Sequence, residues 1–302
     1  MNKLKAWVSA ARLRTLPLSI SGILVGTALA NLQGYADMVV FCLALLTTMA
    51  FQITSNFAND YGDGVKGTDS DDRVGPKRAL QSGALKKGEL KSGIIISVVF
   101  CLCLTLPLIY RAFGIENWLN PLLFLALGGF SIWAAIRYTM GNTPYGYRGL
   151  GDIFVFIFFG LLGVLGCLFL YTKTVNYLAI LPAIAIGCLC VGVLNLNNLR
   201  DVDSDRNHGK NTLVVKMGFQ NGKKYHYALI LISLVAMLTF HFISIKSTTQ
   251  LFYFVAYIPI IFHLKKVHVT KVPAQLDTEL KKLALSTFLL SFLFYVAVNY
   301  FS

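Results

Sequence analysis

Charge is scarce in this sequence. Asp, Glu, Lys and Arg make up 14% of its 302 residues, against roughly 25% in a soluble domain. A soluble fold of this length has more surface than so few charges can cover, and the 56% hydrophobic content points the same way. Acid is scarcer than base, with 14 Asp and Glu against 27 Lys and Arg. The six cysteines all fall in apolar stretches without metal-ligand spacing. Cys101/Cys103 and Cys188/Cys190 stand two apart and so point to different helix faces. They read as reduced packing residues.

What is present is length without charge. Charge-free windows run over 15–36, 38–59, 92–110, 117–136, 153–172, 174–199, 225–245, 247–264 and 283–302. Each is close to the ~20 residues that a helix needs to cross the hydrocarbon core. Nine windows predict nine spanning helices; a soluble alternative would need nine buried helices with no polar face. Arg12 and Arg14 precede the first window and Ala28-Leu29-Ala30 resembles a cleavage site. The window is nevertheless longer than the roughly 7–15 residues of a secretory signal, so a retained helix is expected. With the N-terminus inside, the inner segments hold 24 of the Lys and Arg residues and the outer ones only Arg111, Lys173 and Lys246. This follows the positive-inside rule. The formal charge of +13 then belongs to a cytoplasmic face beside anionic headgroups, and nucleic-acid binding is a poor reading.

The few acids are bunched. Five are Asp60, Asp63, Asp69, Asp71 and Asp72, and three more are Asp201, Asp203 and Asp205. The first group follows Asn56 and Asn59, the second follows Asn195, Asn197 and Asn198, and each closes an even-numbered helix. The pair forms a weak internal repeat, both halves emerging on one side of the membrane. Positions 56, 59, 60 and 63 share one helical stripe, as do 198, 201 and 205. Asp facing lipid is costly, so both stripes are expected to face a shared interior cavity. Carboxylates so spaced are hard oxygen ligands suited to Mg²⁺ bound together with substrate phosphates. Lys66, Lys77 and Arg78 after the first stripe, and Arg200, Arg206 and Lys210 after the second, supply neutralising charge. Gly62, Gly64 and Gly67 let the first loop approach a ligand. The competing readings are helix caps and solvated loops, or a transporter of organic anions or divalent cations. Ion pathways usually place acids near the bilayer midplane, and no Asp, Glu, Lys or Arg lies inside windows seven to nine.

Longer motifs carry a resemblance. Asn59-Asp60-Tyr61-Gly62-Asp63-Gly64-Val65-Lys66-Gly67-Thr68-Asp69, and Asn197-Asn198-Leu199-Arg200-Asp201-Val202-Asp203-Ser204-Asp205-Arg206, resemble the paired Asp-rich motifs of the UbiA superfamily of intramembrane prenyltransferases. The segments Arg73–Gly83 and Tyr145–Asp152, with Gly209-Lys210-Asn211-Thr212-Leu213, resemble the branch that prenylates 1,4-dihydroxy-2-naphthoate in menaquinone synthesis. The broad pattern puts a third Asp where this chain has Gly67, a shift that the naphthoate branch shares. Where the family often has a base after the fourth helix, this chain has Thr143, which leaves Arg137 or Arg148 as substitutes.

The resemblance covers nearly the whole chain. It implies an all-α polytopic protein, a single domain over 1–302 with nine transmembrane helices around a central cavity, in the bacterial cytoplasmic membrane. The implied reaction joins a polyprenyl diphosphate to 1,4-dihydroxy-2-naphthoate with loss of CO₂ and pyrophosphate. Mg²⁺ on Asp60, Asp63, Asp201 and Asp205 would stabilise the leaving pyrophosphate. Asn56, Asn59, Lys66, Lys77, Arg78, Arg137, Tyr138, Tyr147, Arg148, Asn198, Arg200 and Lys210 would contact the substrates. Tyr138, Tyr145 and Tyr147 are either cavity wall or interfacial belt. His208 reads as a solvated loop residue. Other acceptors, such as 4-hydroxybenzoate, remain open. So does a CDP-alcohol phosphatidyltransferase, although that family has one contiguous motif and no second Asp cluster.

Overall fold

The structure is a computed structural model that describes residues 2–68, 74–115 and 118–301. Asp69, Asp71, Asp72 and Arg73 lie outside the described residues. Among the described residues there is no strand, and nine helices are long and apolar enough to span a bilayer. They are α1 (Lys3–Leu32), α2 (Met38–Lys66), α3 (Lys87–Phe113), α4 (Leu119–Arg137), α5 (Gly151–Thr172), α6 (Tyr177–Arg200), α7 (Phe219–Ile245), α8 (Thr248–Val269) and α9 (Pro273–Tyr300). The expected polytopic all-α class holds, and each charge-free window contains the apolar body of one helix.

Several helices run past their windows, α7 and α9 starting early at Phe219 and Pro273, and two such departures bear on the site. α1 is broken at Arg12, whose φ of 48° is left-handed; a short turn at Leu13–Thr15 follows and Leu16–Leu32 continues inward. The preceding piece, Lys3–Ala11, sets Trp7 edge-on against Phe57 of α2, with ring centroids 5.3 Å apart. α2 runs past its window to Lys66, so Asp60 and Asp63 lie on the helix and not in a loop. Its start is capped by Asp37, which accepts from the Val39 and Val40 N–H groups. Its end is Gly67, at φ 75°, whose N–H donates to the Asp63 carbonyl. A left-handed cap favours glycine, which is a physical reason for Gly67 at the position of the missing third Asp.

Packing divides the bundle. α5, π-helical over Phe156–Gly166, is wedged between α1 and α6 by small residues. A Cβ on Gly160 would lie 2.6 Å from the Gly187 Cα, and one on Gly22 would lie 3.2 Å from the Gly163 Cα. Such contacts drive helix association in lipid, where dispersion replaces the hydrophobic effect. α4 instead packs on α2 and α3, and Ala134 is its one buried residue. Between the two groups lies an apolar cavity of about 340 Å³ walled by α1 to α5 and by Leu194 of α6, with Asn59, Tyr138 and Gly151 at one end and Ile23, Phe124 and Leu170 farther along. On the far side, Arg200 of α6 pairs with Asp277 of α9 at 2.6 Å. A buried chain of His226, His263 and Glu279, closed by the exposed Lys282, ties α7, α8 and α9 together. These ionisable groups are thus paired, as a low-dielectric interior favours.

Candidate active site

The first Asp stripe meets three different environments. Asn56 turns to α1, where its Nδ2 donates to the Ala11 carbonyl at 2.8 Å and to the Thr15 Oγ1 at 3.0 Å. It therefore braces the Arg12 break and is not aimed into the cavity, contrary to the sequence expectation. Asn59 does reach the cavity, beside Thr139, whose Oγ1 donates to the Ala58 carbonyl. Gly62 permits this approach, since a Cβ there would collide with Thr139. Asp60 accepts from the Ala79 and Leu80 N–H groups and borders a basic pocket with Arg12, Arg14, Lys77 and Arg78. Asp63 is almost wholly buried. Its carboxylate takes Arg78 at 2.6 Å on Oδ2 and the Tyr147 hydroxyl at 2.8 Å on Oδ1.

The second stripe is also divided. Asn198 is buried on α6. Arg200 donates to Asp201 in a bidentate fork from Nε and Nη2 at 2.8 and 2.6 Å; Nη2 also donates to the Asn197 side-chain oxygen, and Nη1 reaches Asp277. That guanidinium therefore ties α6 to α9, a structural use the sequence did not suggest. Asp205 pairs with Lys210 at 3.6 Å. Burial pushes the Asp205 carboxyl up to about 6; Lys210 pulls it down, and Asp201 and Asp63 add repulsion. His208 hydrogen-bonds the Ser204 carbonyl within its own turn, in line with a loop role.

Tyr147 joins the two stripes. Lys66 stands 5.1 Å from its ring centroid and Lys210 5.7 Å, so bases from both motifs converge on one phenol bonded to Asp63. Thr68 also touches its hydroxyl. The loop that carries it is latched to the second motif: the Asn211 N–H donates to the Tyr147 carbonyl and the Lys216 Nζ to the Arg148 carbonyl. Gly149, at φ 79°, packs against that Asn211 carbonyl and the Lys216 side chain. The Arg148 side chain is exposed, while Arg137 folds back over Gly141. Tyr138 and Tyr145 line the cavity wall, which decides between wall and belt. Burial raises the pKa of both hydroxyls, so they stay protonated.

Which residues fit a divalent cation follows from the donors. Asp63 and Asp205 are hard oxygen ligands that lie close enough to repel each other. The Asp205 Oδ2 is buried without a partner, an orphan acceptor that a cation would satisfy. Asp60 and Asp201 face backbone donors and Arg200 respectively, so among the described residues three acids do not yet converge on one point. The set fits Mg²⁺ with two carboxylates and substrate oxygens. Sequence reasoning passed over Thr139, Arg12 and Arg14. Nothing in their spacing marks them, because the helix break and the loop fold bring them in.

Comparison with known proteins adds the family. A family model described as the UbiA prenyltransferase family matches residues 19–298. The 1,4-dihydroxy-2-naphthoate octaprenyltransferase of Escherichia coli (strain K12) is 49% identical over 82% of this chain and 80% of its own length. The enzyme of the same name from Haemophilus influenzae is 42% identical over 97% and 95%. A solved UbiA homologue from Archaeoglobus fulgidus, bound to DMAPP and Mg²⁺, superposes with a TM-score of 0.67 at 17% identity, covering 98% of this chain and 99% of that one.

Proposed function

The chain belongs to the UbiA prenyltransferase family, and from that premise we propose that it transfers a polyprenyl group from its diphosphate to 1,4-dihydroxy-2-naphthoate, with loss of CO₂ and pyrophosphate. The relatives that carry this activity in their names cover most of the chain. The observation that carries the reading is Tyr147. It draws Lys66, Asp63 and Lys210, from two separate motifs, onto one polar face, with Asp63 one helical turn beyond Asn59 of the apolar cavity. Diphosphate needs such a face, and a polyprenyl tail needs such a cavity.

Asp63 and Asp205 would hold Mg²⁺, with Asp60 and Asp201 as further oxygen donors. When bound, the ion supplies positive charge to the leaving pyrophosphate. Lys66, Arg78 and Lys210 add fixed charge at the same place. Asn59 and Tyr138 border the junction between polar head and apolar channel. The wall of α1 to α5 keeps water from an allylic cation. The bacterial relatives support an inner-membrane location, and the placing of Lys and Arg supports an orientation with the N-terminus and both Asp-rich segments cytoplasmic. The test is direct: purified protein with Mg²⁺, polyprenyl diphosphate and either 1,4-dihydroxy-2-naphthoate or 4-hydroxybenzoate. Prenylated naphthoquinol with equimolar pyrophosphate is expected. Preferred turnover of hydroxybenzoate overturns the acceptor, and no prenyl transfer to any aromatic overturns the reading.

A further inference from the structure

One buried carboxylate lies outside the site described above. Asp152 opens α5 and is 6% exposed. Every other carboxylate among the described residues is held by a base or, for Asp60, by backbone N–H groups. Asp152 faces only its own N–H and the Tyr225 hydroxyl of α7, and its Oδ1 has no partner. On α6, Asn195 is 0% exposed, and both atoms of its amide are unpartnered.

These residues share a layer. Val191 of α6 packs with Val155 and Tyr225 in one apolar cluster. Asn195 follows Val191 by four residues and Asp152 precedes Val155 by three. Each therefore stands on the clustered face, one turn toward the same end of the bundle. Asp152, Asn195 and Tyr225 thus form a polar layer from three helices, directly behind the cavity wall made by Gly151 and Leu194. The Tyr138 hydroxyl links layer and cavity. It lies 3.2 Å from where a Gly151 Cβ would stand, next in sequence to Asp152. An unpaired acid in a membrane protein is costly and marks function. The Asn195 amide suits such an acid, because it donates to a carboxylate and accepts from a carboxylic acid.

We propose that Asp152 is the proton store of the transfer reaction, exchanging one proton with the hydroxyl of the aromatic acceptor through Tyr138. The inference rests on the prenyl-transfer reading above. The bond from prenyl C1 to its diphosphate oxygen breaks, its electron pair leaving on pyrophosphate. The carboxyl-bearing ring carbon supplies the pair for the new C–C bond, and the adjacent hydroxyl becomes a ketone as it loses its proton. Tyr138 passes that proton to Asp152. The carboxylate, now β to a ketone, leaves as CO₂; its pair returns to the ring as an enolate, which takes the proton back by the same route. No proton is gained or lost overall. Asp63 and Asp201 are held by arginines and Asp60 by backbone donors, and the one open oxygen of Asp205 is the one offered to the cation, so none of them serves this exchange.

Asp152→Asn, Tyr138→Phe and the double variant separate a relay from a structural role. General acid–base catalysis contributes roughly 10²–10⁴-fold. Each single variant should lower kcat by at least about tenfold, while binding of a non-hydrolysable prenyl diphosphate and the melting temperature stay at wild-type values. The double variant should be no worse than the poorer single one, because the two act as a unit. Asp152→Glu should recover part of kcat with a shifted pH–rate profile. The groups facing Asp152 in that profile are Tyr225 and Tyr138, with Cys188 beside Tyr225. Wild-type kcat in Asp152→Asn, multiplicative losses in the double variant, or losses that track diphosphate binding or melting temperature overturn the relay. Those results leave prenyl transfer standing if the wild type is active; an inactive wild type overturns both.

Discussion

Asp63 and Arg78 offer the sharpest stability test. Their side chains are 3% and 11% exposed and meet at 2.6 Å. Asp63→Asn removes the charge and leaves the guanidinium buried beside Lys210 and Lys66. Breaking a buried pair from one side costs about 3–5 kcal/mol. Arg78 also donates to the Asn59 carbonyl at 3.2 Å and is slightly exposed, so the lower end, about 3 kcal/mol, is the expected cost. At roughly 2 °C per kcal/mol for a long chain, the melting temperature in detergent should fall by about 6 °C. Activity should fall at least about tenfold, the effect of roughly 1.4 kcal/mol on the barrier. Arg78→Gln leaves Asp63 with Tyr147 and should cost less. The double variant should regain most of the stability and none of the activity, giving a coupling of about 2 kcal/mol or more in a double-mutant cycle. Additive stability losses, or Asp63→Asn melting at the wild-type temperature, would refute the reasoning.

Other outcomes follow from the same geometry. Asp205, raised to about 6, carries a proton below that pH, and a bound cation must displace it. Apparent Mg²⁺ affinity should therefore fall by about fivefold as pH drops from 6 to 5, whereas Asp205→Asn should bind weakly at every pH; titration calorimetry distinguishes the two. Gly160→Val, which forces a side chain onto the Gly187 backbone, should lower the melting temperature more than Gly129→Val, where nothing stands within 4 Å. Cysteines placed at Gly83 and Gly209 should react with an impermeant maleimide only from the cytoplasmic side of membrane vesicles; labelling from outside contradicts the orientation.

Much of this architecture is readable before folding, because lipid imposes a single requirement on every spanning segment. Charge-free length locates α1 to α9 within a few residues at most ends. α2 and Lys3–Ala11 escape that reading for a common reason: each continues as helix into polar sequence, where hydropathy carries no signal. The paired motifs locate the site, yet periodicity alone treats 56, 59, 60 and 63 as one face. Asn56 instead braces the Arg12 break, and Asp60 turns to the N–H groups of Ala79 and Leu80. Arg200 likewise looks like a diphosphate ligand until Asp277, far away in sequence, is seen to hold it. Asp152 stands within a quoted motif, but its lack of a counter-charge is a property of packing and not of spacing.

The central claim concerns the acceptor, because the Asp-rich motifs identify only the diphosphate half of the reaction. The most direct measurement uses 1,4-dihydroxy-2-naphthoate labelled at its carboxyl carbon, with polyprenyl diphosphate, Mg²⁺ and the purified protein. Labelled CO₂ and pyrophosphate should appear in equal amounts, and the prenylated lipid should carry no label. The product loses its ionised group and can remain in hydrocarbon, where a charge resists burial. Label retained in the prenylated lipid, or pyrophosphate released without CO₂, would contradict the assignment.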